Sequence, residues 1–181
     1  ERVFDRIPEA ARQSVERYVV LDDGSTDDTR AALERVRRTF PTLRVLDFGR
    51  NRGYGAAMKS LLACARDEGA DAAIVLHADG QYSPELIQAL LEPISEGRAD
   101  IVQGSRMLGK GALAGGMPLY KFAANKCLTA LENRAFGMRL AEYHSGYMLY
   151  SRRALEKIPF ERLRDSFVFD LEVLVAARVL G

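Results

Sequence analysis

The sequence predicts an α/β sandwich in a single domain, built on a mostly parallel central sheet. Three observations lead there. Short apolar runs alternate with helical stretches over at least four cycles. Runs such as residues 18–21 and 72–76 are apolar throughout, as in strands buried on both faces. Several runs stop abruptly in polar clusters, the pattern expected where strand tips open on a ligand crevice.

Taken in order, residues 1–15 are charged and helical in character, and residues 18–21 form the first strand, which ends in Asp22-Asp23-Gly24-Ser25. Ala32, Leu33, Val36 and Phe40 then repeat at helical spacing, and residues 43–48 form a second strand. After a loop over residues 49–55, Ala57, Leu61, Cys64 and Ala65 mark a helix packed on the sheet. Residues 72–76 make a third strand. Ser83-Pro84-Glu85 then gives an N-cap candidate, a proline at the first helical position and an acid in the first turn, ahead of the apolar face of Ile87, Leu90, Leu91 and Ile94. Residues 100–104 form another strand. The stretch 109–116 carries four glycines in eight residues and reads as a mobile loop without regular structure. Tyr120, Ala124, Leu128 and Leu131 follow at helical spacing, residues 147–150 read as a strand, and 169–180 as a closing helix.

Composition narrows the function classes. A net charge of +1 over 181 residues lacks the basic excess of a nucleic-acid binder, and the cluster Arg35, Arg37 and Arg38 reads first as a solvated helix face. The two cysteines, Cys64 and Cys127, have no second ligand at metal spacing and read as small core residues of a reduced, cytoplasmic compartment. No apolar run reaches the length of a membrane span, so any membrane contact within this stretch is peripheral.

The chemistry is concentrated at strand tips. Asp22 and Asp23 can accept hydrogen bonds from a nucleobase and from ribose hydroxyls, although Asp-Asp-Gly-Ser is also an ordinary turn. His77-Ala78-Asp79-Gly80-Gln81 follows the third strand. Asp79 and Gln81 can supply the few protein oxygens that a divalent cation needs when diphosphate supplies the rest, or the segment is an Asx turn that starts a helix. The loop Asn51-Arg52-Gly53-Tyr54-Gly55 opens a helix, so its N–H groups and Arg52 can face phosphate; it matches neither a dinucleotide fingerprint nor a Walker sequence. Arg106, after Gly104-Ser105, can grip a phosphate bidentately or lie on the surface.

The ordered elements VVLDDGSTDDT, NRGYGAA, VLHADGQYSPE, IVQGSR, EYHSGYMLYSR and FVFDLEVL resemble family 2 of the inverting glycosyltransferases, closest to dolichol- and polyprenyl-phosphate mannosyl- or glucosyltransferases. The resemblance implies a GT-A-type, Rossmann-like fold. It also implies a nucleotide-sugar donor, GDP- or UDP-linked, and a Mg²⁺ or Mn²⁺ cofactor. By position, Asp22, Asp23, Ser25, Asn51 and Gly53 would bind the nucleotide, and Asp79 with Gln81 would match the family's Asp-x-Asp-x-Gln metal element. Arg106 would face a donor or acceptor phosphate. His77 stands in place of the first acid of the metal element, where imidazole can still ligate Mn²⁺. Glu142 stands where the family often has Asp, and Met148 where it often has Arg. The family's opening strand and closing strands are expected outside residues 1–181, which reads as a domain cut at both ends.

A lipid-phosphate acceptor implies a particular chemistry. A phosphate monoester, with a second pKa of about 6, is already a nucleophile at neutral pH and needs cations and an apolar lip more than a base. Lys121 and Lys126, set among Leu119, Tyr120 and Phe122, offer both and predict a peripheral contact at the cytoplasmic face of a membrane, with Ser145 beside the acceptor. The same segment is also readable as a core helix with its lysines turned outward. If the acceptor is a sugar hydroxyl, Asp170, Glu172 and Glu142 are the candidate bases, Asp170 foremost. Two rivals remain at this level. One is a non-catalytic nucleotide-binding module; the other, a sugar-phosphate nucleotidyltransferase, lacks its glycine-rich N-terminal loop here. A second copy of the chain, as a homo-oligomer, is among the expected partners.

Overall fold

The computed structural model describes residues 2–108 and 111–181. Two short helices, α1 (Arg2–Asp5) and α2 (Glu9–Ser14), precede strand β1 (Tyr18–Asp22), helix α3 (Thr29–Thr39), β2 (Leu43–Asp47) and α4 (Tyr54–Asp67). Next come β3 (Ala72–Ile74), a 3-10 turn at Pro84–Leu86 running into α5 (Ile87–Ser95), β4 (Ile101–Gln103), α6 (Gly111–Ala114) and α7 (Leu119–Phe136). Strand β5 (Met148–Ser151), α8 (Arg152–Lys157), a 3-10 turn at Phe160–Arg162 and α9 (Phe169–Leu180) complete the order.

β1 and β2 pair in parallel with Asp22 opposite Asp47, so both polar tips leave the sheet at the same end. β5 lies between β3 and β4 and runs antiparallel to both. The α/β sandwich is the expected one, but its strands form a parallel pair, β1–β2, and a separate three-stranded sheet, β3–β5–β4, whose antiparallel middle strand the apolar run could not announce, because hydrophobicity carries no direction. The insertion seats Gly146 and Tyr147, just before β5, beside the tips of β3 and β4: the Tyr147 carbonyl accepts from Gly104 N–H at 2.8 Å.

The main core gathers Met58 and Leu62 of α4, Met148 and Tyr150 of β5, Leu155 of α8 and Phe169 and Val173 of α9. This fixes α9 under the crevice. A second cluster, Leu33, Val36, Phe40 and Leu43, seals α3 on the β1–β2 pair, with Phe4, Tyr18 and Phe40 in mutual ring contact. Ser151 caps α8 by accepting from Ala154 N–H at 3.1 Å.

Three sequence expectations change. Part of the glycine-rich stretch is regular, as the helix α6, while Gly109 and Lys110 lie outside the described residues. The apolar stripe of α7 is not buried: Leu119, Tyr120, Leu128 and Leu131 are exposed, and Thr129 is the buried residue of the helix. Cys127, on the same helix, is exposed rather than in the core. Periodicity identified the helix correctly but could not say that its apolar stripe stays exposed.

Candidate active site

The crevice is assembled from the ends of β1, β2, β3 and β4, the segment before β5 and the start of α9. At the β1 tip Asp22 is buried, and its Oδ1 accepts from Ser25 N–H at 2.8 Å. The Ser25 hydrogen bonds hold its carboxyl below the ordinary aspartate range. Asp23 reaches across to the β2–α4 loop and accepts from Arg52 N–H at 2.6 Å and Gly53 N–H at 3.0 Å. Gly24 completes the junction. Its φ is +79°, and a Cβ there would stand 2.5 Å from the Arg50 carbonyl carbon and 2.6 Å from Asn51 N. Both acids thus shape the binding loops, which leaves the exposed Ser25 and Asn51 at the rim.

The next residue, Tyr54, joins this half to the β3 tip. Its hydroxyl lies 3.4 Å from His77 Nε2 and donates to Asp170 Oδ2 at 2.7 Å. The His77 ring stands edge-on to Tyr54 and Tyr82, and a Cβ on Gly146 would fall 2.7 Å from its Nε2. Burial pulls the imidazole below its ordinary pKa, against a smaller opposite pull from Asp79, and favours the neutral ring. His77 is therefore packed as a wall residue. Its Nε2 faces the Tyr54 hydroxyl and the backbone at Gly146.

Asp79 is exposed, and its Oδ1 accepts from Gln81 N–H at 3.0 Å, so the Asx turn and the strand-tip carboxylate coexist. Gln81 Oε1 accepts from Arg106 Nη1 at 3.3 Å, and the guanidinium lies 5.8 Å from the Tyr82 ring centroid. Arg106 Nε is buried without a hydrogen-bond partner. Glu142, fully buried, accepts from Arg106 N–H at 2.7 Å and Met107 N–H at 3.4 Å. It is a brace for Arg106, not an accessible base. Asp79 and Gln81 fit a cation that takes most of its oxygens from diphosphate, since Asp79 Oδ2 is uncommitted among the described contacts; among the described residues no cluster of three His, Cys, Asp or Glu forms a cage.

Between these elements lies a cleft of about 500 Å³ bordered by Tyr54, His77, Tyr82, Gly146, Phe167 and Asp170. Asp170 is buried; desolvation raises its pKa to about 6, against the lowering effects of the Tyr54 bond and His144. Its Oδ1 has no partner. Phe167, which opens the FVFDLEVL element without a role read for it, is 85% exposed and stacks on Tyr54 at 5.6 Å and 13°.

Other expected site residues lie apart from the cleft. Ser145 is fully buried and donates to the Gly104 carbonyl at 2.6 Å, so it cannot present its hydroxyl to an acceptor. That expectation is withdrawn: the side chain fastens the approach to β5. Met148 is core, with no phosphate contact to make. Lys126 Nζ donates to the Met107 carbonyl at 3.3 Å, next to the Arg106 segment, while Lys121 is exposed on α7. Among the described residues no helix is long and apolar enough to cross a membrane.

Comparison with known proteins agrees with this arrangement. Residues 2–159 match the model of Glycosyl transferase family 2. A dolichyl-phosphate N-acetylglucosaminyltransferase of Methanococcus voltae that uses UDP-N-acetylglucosamine is 28% identical, the match covering 81% of this chain and 62% of the relative. Polyprenol monophosphomannose synthase of Mycolicibacterium smegmatis is 28% identical over 77% of this chain and 52% of its own. An uncharacterized protein of Methanocaldococcus jannaschii, MJ1222, is 28% identical over 94% of this chain and 68% of its own. The chain thus spans about half to two thirds of the length of these relatives. The crystal structure of glucosyl-3-phosphoglycerate synthase from Mycobacterium tuberculosis, in complex with phosphoglyceric acid, superposes with a TM-score of 0.60 at 24% identity, covering 88% of this chain and 53% of that one, and shares the GT-A fold. With its strand-tip acids, its Asp79-Gly80-Gln81 element and this match over most of its length, the chain belongs to glycosyltransferase family 2.

Proposed function

We propose that this chain is the donor-binding and catalytic part of an inverting hexosyltransferase that moves a sugar from a nucleotide-sugar to a polyprenyl or dolichyl phosphate. The observation that carries this reading is the contact of Arg106 with Gln81 beside Asp79. It brings a cation from the end of β4 beside the carboxylate-bearing loop after β3, whose His77 contacts Tyr54, the residue that follows the loop fastened by Asp23. The lipid-phosphate acceptor is supported by the names of two relatives and by the exposed apolar residues of α7 lying among Lys121 and Lys126. Peripheral membrane contact by that face is part of the proposal.

In the reaction an acceptor phosphate oxygen attacks the anomeric carbon. The bond from that carbon to the donor's β-phosphate oxygen breaks, and the nucleoside diphosphate leaves with the electron pair. Arg106 draws negative charge from a phosphate, and Glu142 fixes the backbone from which it projects. Asp79 and Gln81 would hold Mg²⁺ or Mn²⁺, whose chemistry there is neutralisation of the leaving diphosphate. Ser25 and Asn51 contact the nucleoside from the rim, and Asp22, Asp23 and Gly53 hold that rim in shape. No base is required, because the second ionisation of a phosphate monoester, near a pKa of about 6, leaves a nucleophilic oxygen at neutral pH.

The test is calorimetry with UDP, GDP and their sugars in Mg²⁺ or Mn²⁺, followed by transfer of labelled sugar to polyprenyl phosphate in the full-length protein. One nucleotide series should bind in wild type and not in Asp79→Ala, and label should enter the lipid-phosphate fraction. Label passing instead to a sugar hydroxyl, with none in lipid phosphate, would refute the acceptor.

A further inference from the structure

The loop that carries Asp79 and Gln81 is held from outside the crevice. Arg6, directly after α1, donates through Nε and Nη2 to the two carboxylate oxygens of Glu85 at 2.9 and 3.1 Å, and through Nη1 to the Gly80 carbonyl at 3.3 Å. One guanidinium thus grips the loop near its middle and again at Glu85, in the 3-10 turn that follows it. Arg6 is itself fixed by its surroundings. Arg12 donates to the carbonyls of Phe4, Asp5 and Ile7 at 3.1, 3.3 and 2.9 Å and lies over the Phe40 ring at 5.0 Å, while Val3 and Ile7 are buried. An exposed ion pair ordinarily contributes little to stability. Its effect here is directional, because the bidentate fork fixes the plane of the guanidinium and so aims Nη1 at the carbonyl.

The Gly80 carbonyl and the Gln81 N–H belong to one peptide unit, which is planar, so turning one turns the other. Arg6 holds the carbonyl end, and Asp79 Oδ1 accepts from the N–H end at 3.0 Å. Gly80 sits at φ +75°, and a Cβ there would find no atom nearer than Arg6 Nη1 at 3.9 Å. A glycine so placed admits the flipped orientation of this peptide at little steric cost. A flip would turn the N–H away from Asp79 and re-aim Gln81, whose Oε1 accepts from Arg106. We propose that Arg6 is a positioning residue of the cation site: by holding the Gly80–Gln81 peptide in one orientation it commits Asp79 Oδ1 to the turn and leaves Oδ2 available to a divalent cation. The inference deepens the function proposed above and rests on it for the cation, whereas the hold on the peptide stands apart from it.

Two readouts test it in wild type, Arg6→Ala and Glu85→Gln. The first is exchange of the Gln81 amide proton with water, followed by NMR without metal or nucleotide. The Ser25 amide is the internal reference, since it too donates to an aspartate, Asp22, at 2.8 Å. Gln81 exchange should rise roughly tenfold in Arg6→Ala, the equilibrium weight of about one hydrogen bond, and by less in Glu85→Gln, with Ser25 unchanged. Unchanged Gln81 exchange in both variants, or a rise shared equally by Ser25, overturns the proposal. The second readout is calorimetry of UDP and GDP in Mn²⁺ and again in EDTA. The metal-dependent gain in affinity should fall roughly tenfold in Arg6→Ala, as for other residues that orient a metal ligand, while metal-free affinity holds. A gain equal to that of wild type, with Gln81 freed, refutes the role toward the cation. If wild type shows no metal-dependent gain, the proposed function fails at that step, and Gln81 exchange alone decides whether Arg6 sets the peptide.

Discussion

Replacing Asp170 by Asn should remove a specific part of the protein's pH dependence. The Asp170 carboxyl is buried and raised from its ordinary 3.8 to about 6, first because burial disfavours its charge. Tyr54 and His144 offset only part of that cost, and Tyr150, buried without a hydroxyl partner, supplies no bond. For an acid whose folded pKa is raised, the native state holds the proton more tightly than the unfolded chain. The associated stability is full below about pH 4 and is lost as pH rises through about 6. At about 1.4 kcal/mol per pK unit, linkage over that window gives a loss of about 2.5 kcal/mol between pH 4 and pH 7. For a chain of this length that is a Tm difference of roughly 5–10 °C. Thermal unfolding followed by circular dichroism at pH 4, 5, 6 and 7 measures it. Other carboxylates, such as Asp22 with its depressed pKa, titrate in both proteins and cancel in the difference. The Tm of wild type minus that of Asp170→Asn should therefore fall by this amount across the series. A constant difference would refute the claim that Asp170 carries an undercompensated charge at neutral pH.

Three further perturbations test other joints of the site. Gly24→Ala forces a Cβ against the Arg50 and Asn51 backbone at positive φ, and should cost about 2 kcal/mol or more by chemical denaturation while abolishing nucleotide binding; near-native stability would show that the two loops can part. Ser145→Ala should cost about 1–3 kcal/mol through the lost bond to Gly104, with KM for lipid phosphate unchanged, whereas a raised KM with intact stability would restore Ser145 to the acceptor site. His77→Ala should leave Mn²⁺ affinity in the presence of nucleoside diphosphate unchanged, because its Nε2 faces Tyr54 and Gly146; a loss of about tenfold by calorimetry would make it a ligand after all.

Much of the fold was legible because its signals are local. β1, β2, α3 and α4 follow from apolar runs and helical stripes, and each begins and ends within a few residues of the reading. β3 is shorter than its apolar run: Val75 N–H still donates to the Met148 carbonyl at 2.8 Å, and from His77 onward the chain lines the cleft. What sequence could not supply is direction and commitment. Nothing in residues 147–150 says that β5 enters antiparallel between β3 and β4. Nothing in Asp23 says that its oxygens are occupied by Arg52 and Gly53, or in Ser145 that its hydroxyl points to Gly104. Motif position located these residues at the site's border. Their side-chain partners, decided by tertiary contacts, determined what each one does there.

That distinction bears on how an acidic crevice could hold the diphosphate proposed for it. Arg52 and Gly53 open the loop before α4, where free N–H groups would ordinarily attract phosphate, yet both donate to Asp23. Gly49 N–H is likewise taken by Asp47. The loop's amides therefore stabilise the protein's own carboxylates, which would otherwise repel the donor across the crevice. Attraction must come from groups not already neutralised. Asp22, Asp23 and Asp47 are engaged by backbone N–H groups, with Arg30 also on Asp47, whereas Arg106 meets only the neutral Gln81 among its described side-chain hydrogen-bond partners and keeps an unpaired Nε. A guanidinium held beside an amide instead of an acid retains its full charge for an incoming anion. If Arg106 grips the donor diphosphate as proposed, Gln81→Glu should neutralise it while adding an oxygen for metal, and should weaken nucleoside diphosphate binding by calorimetry; unchanged affinity would refute that role.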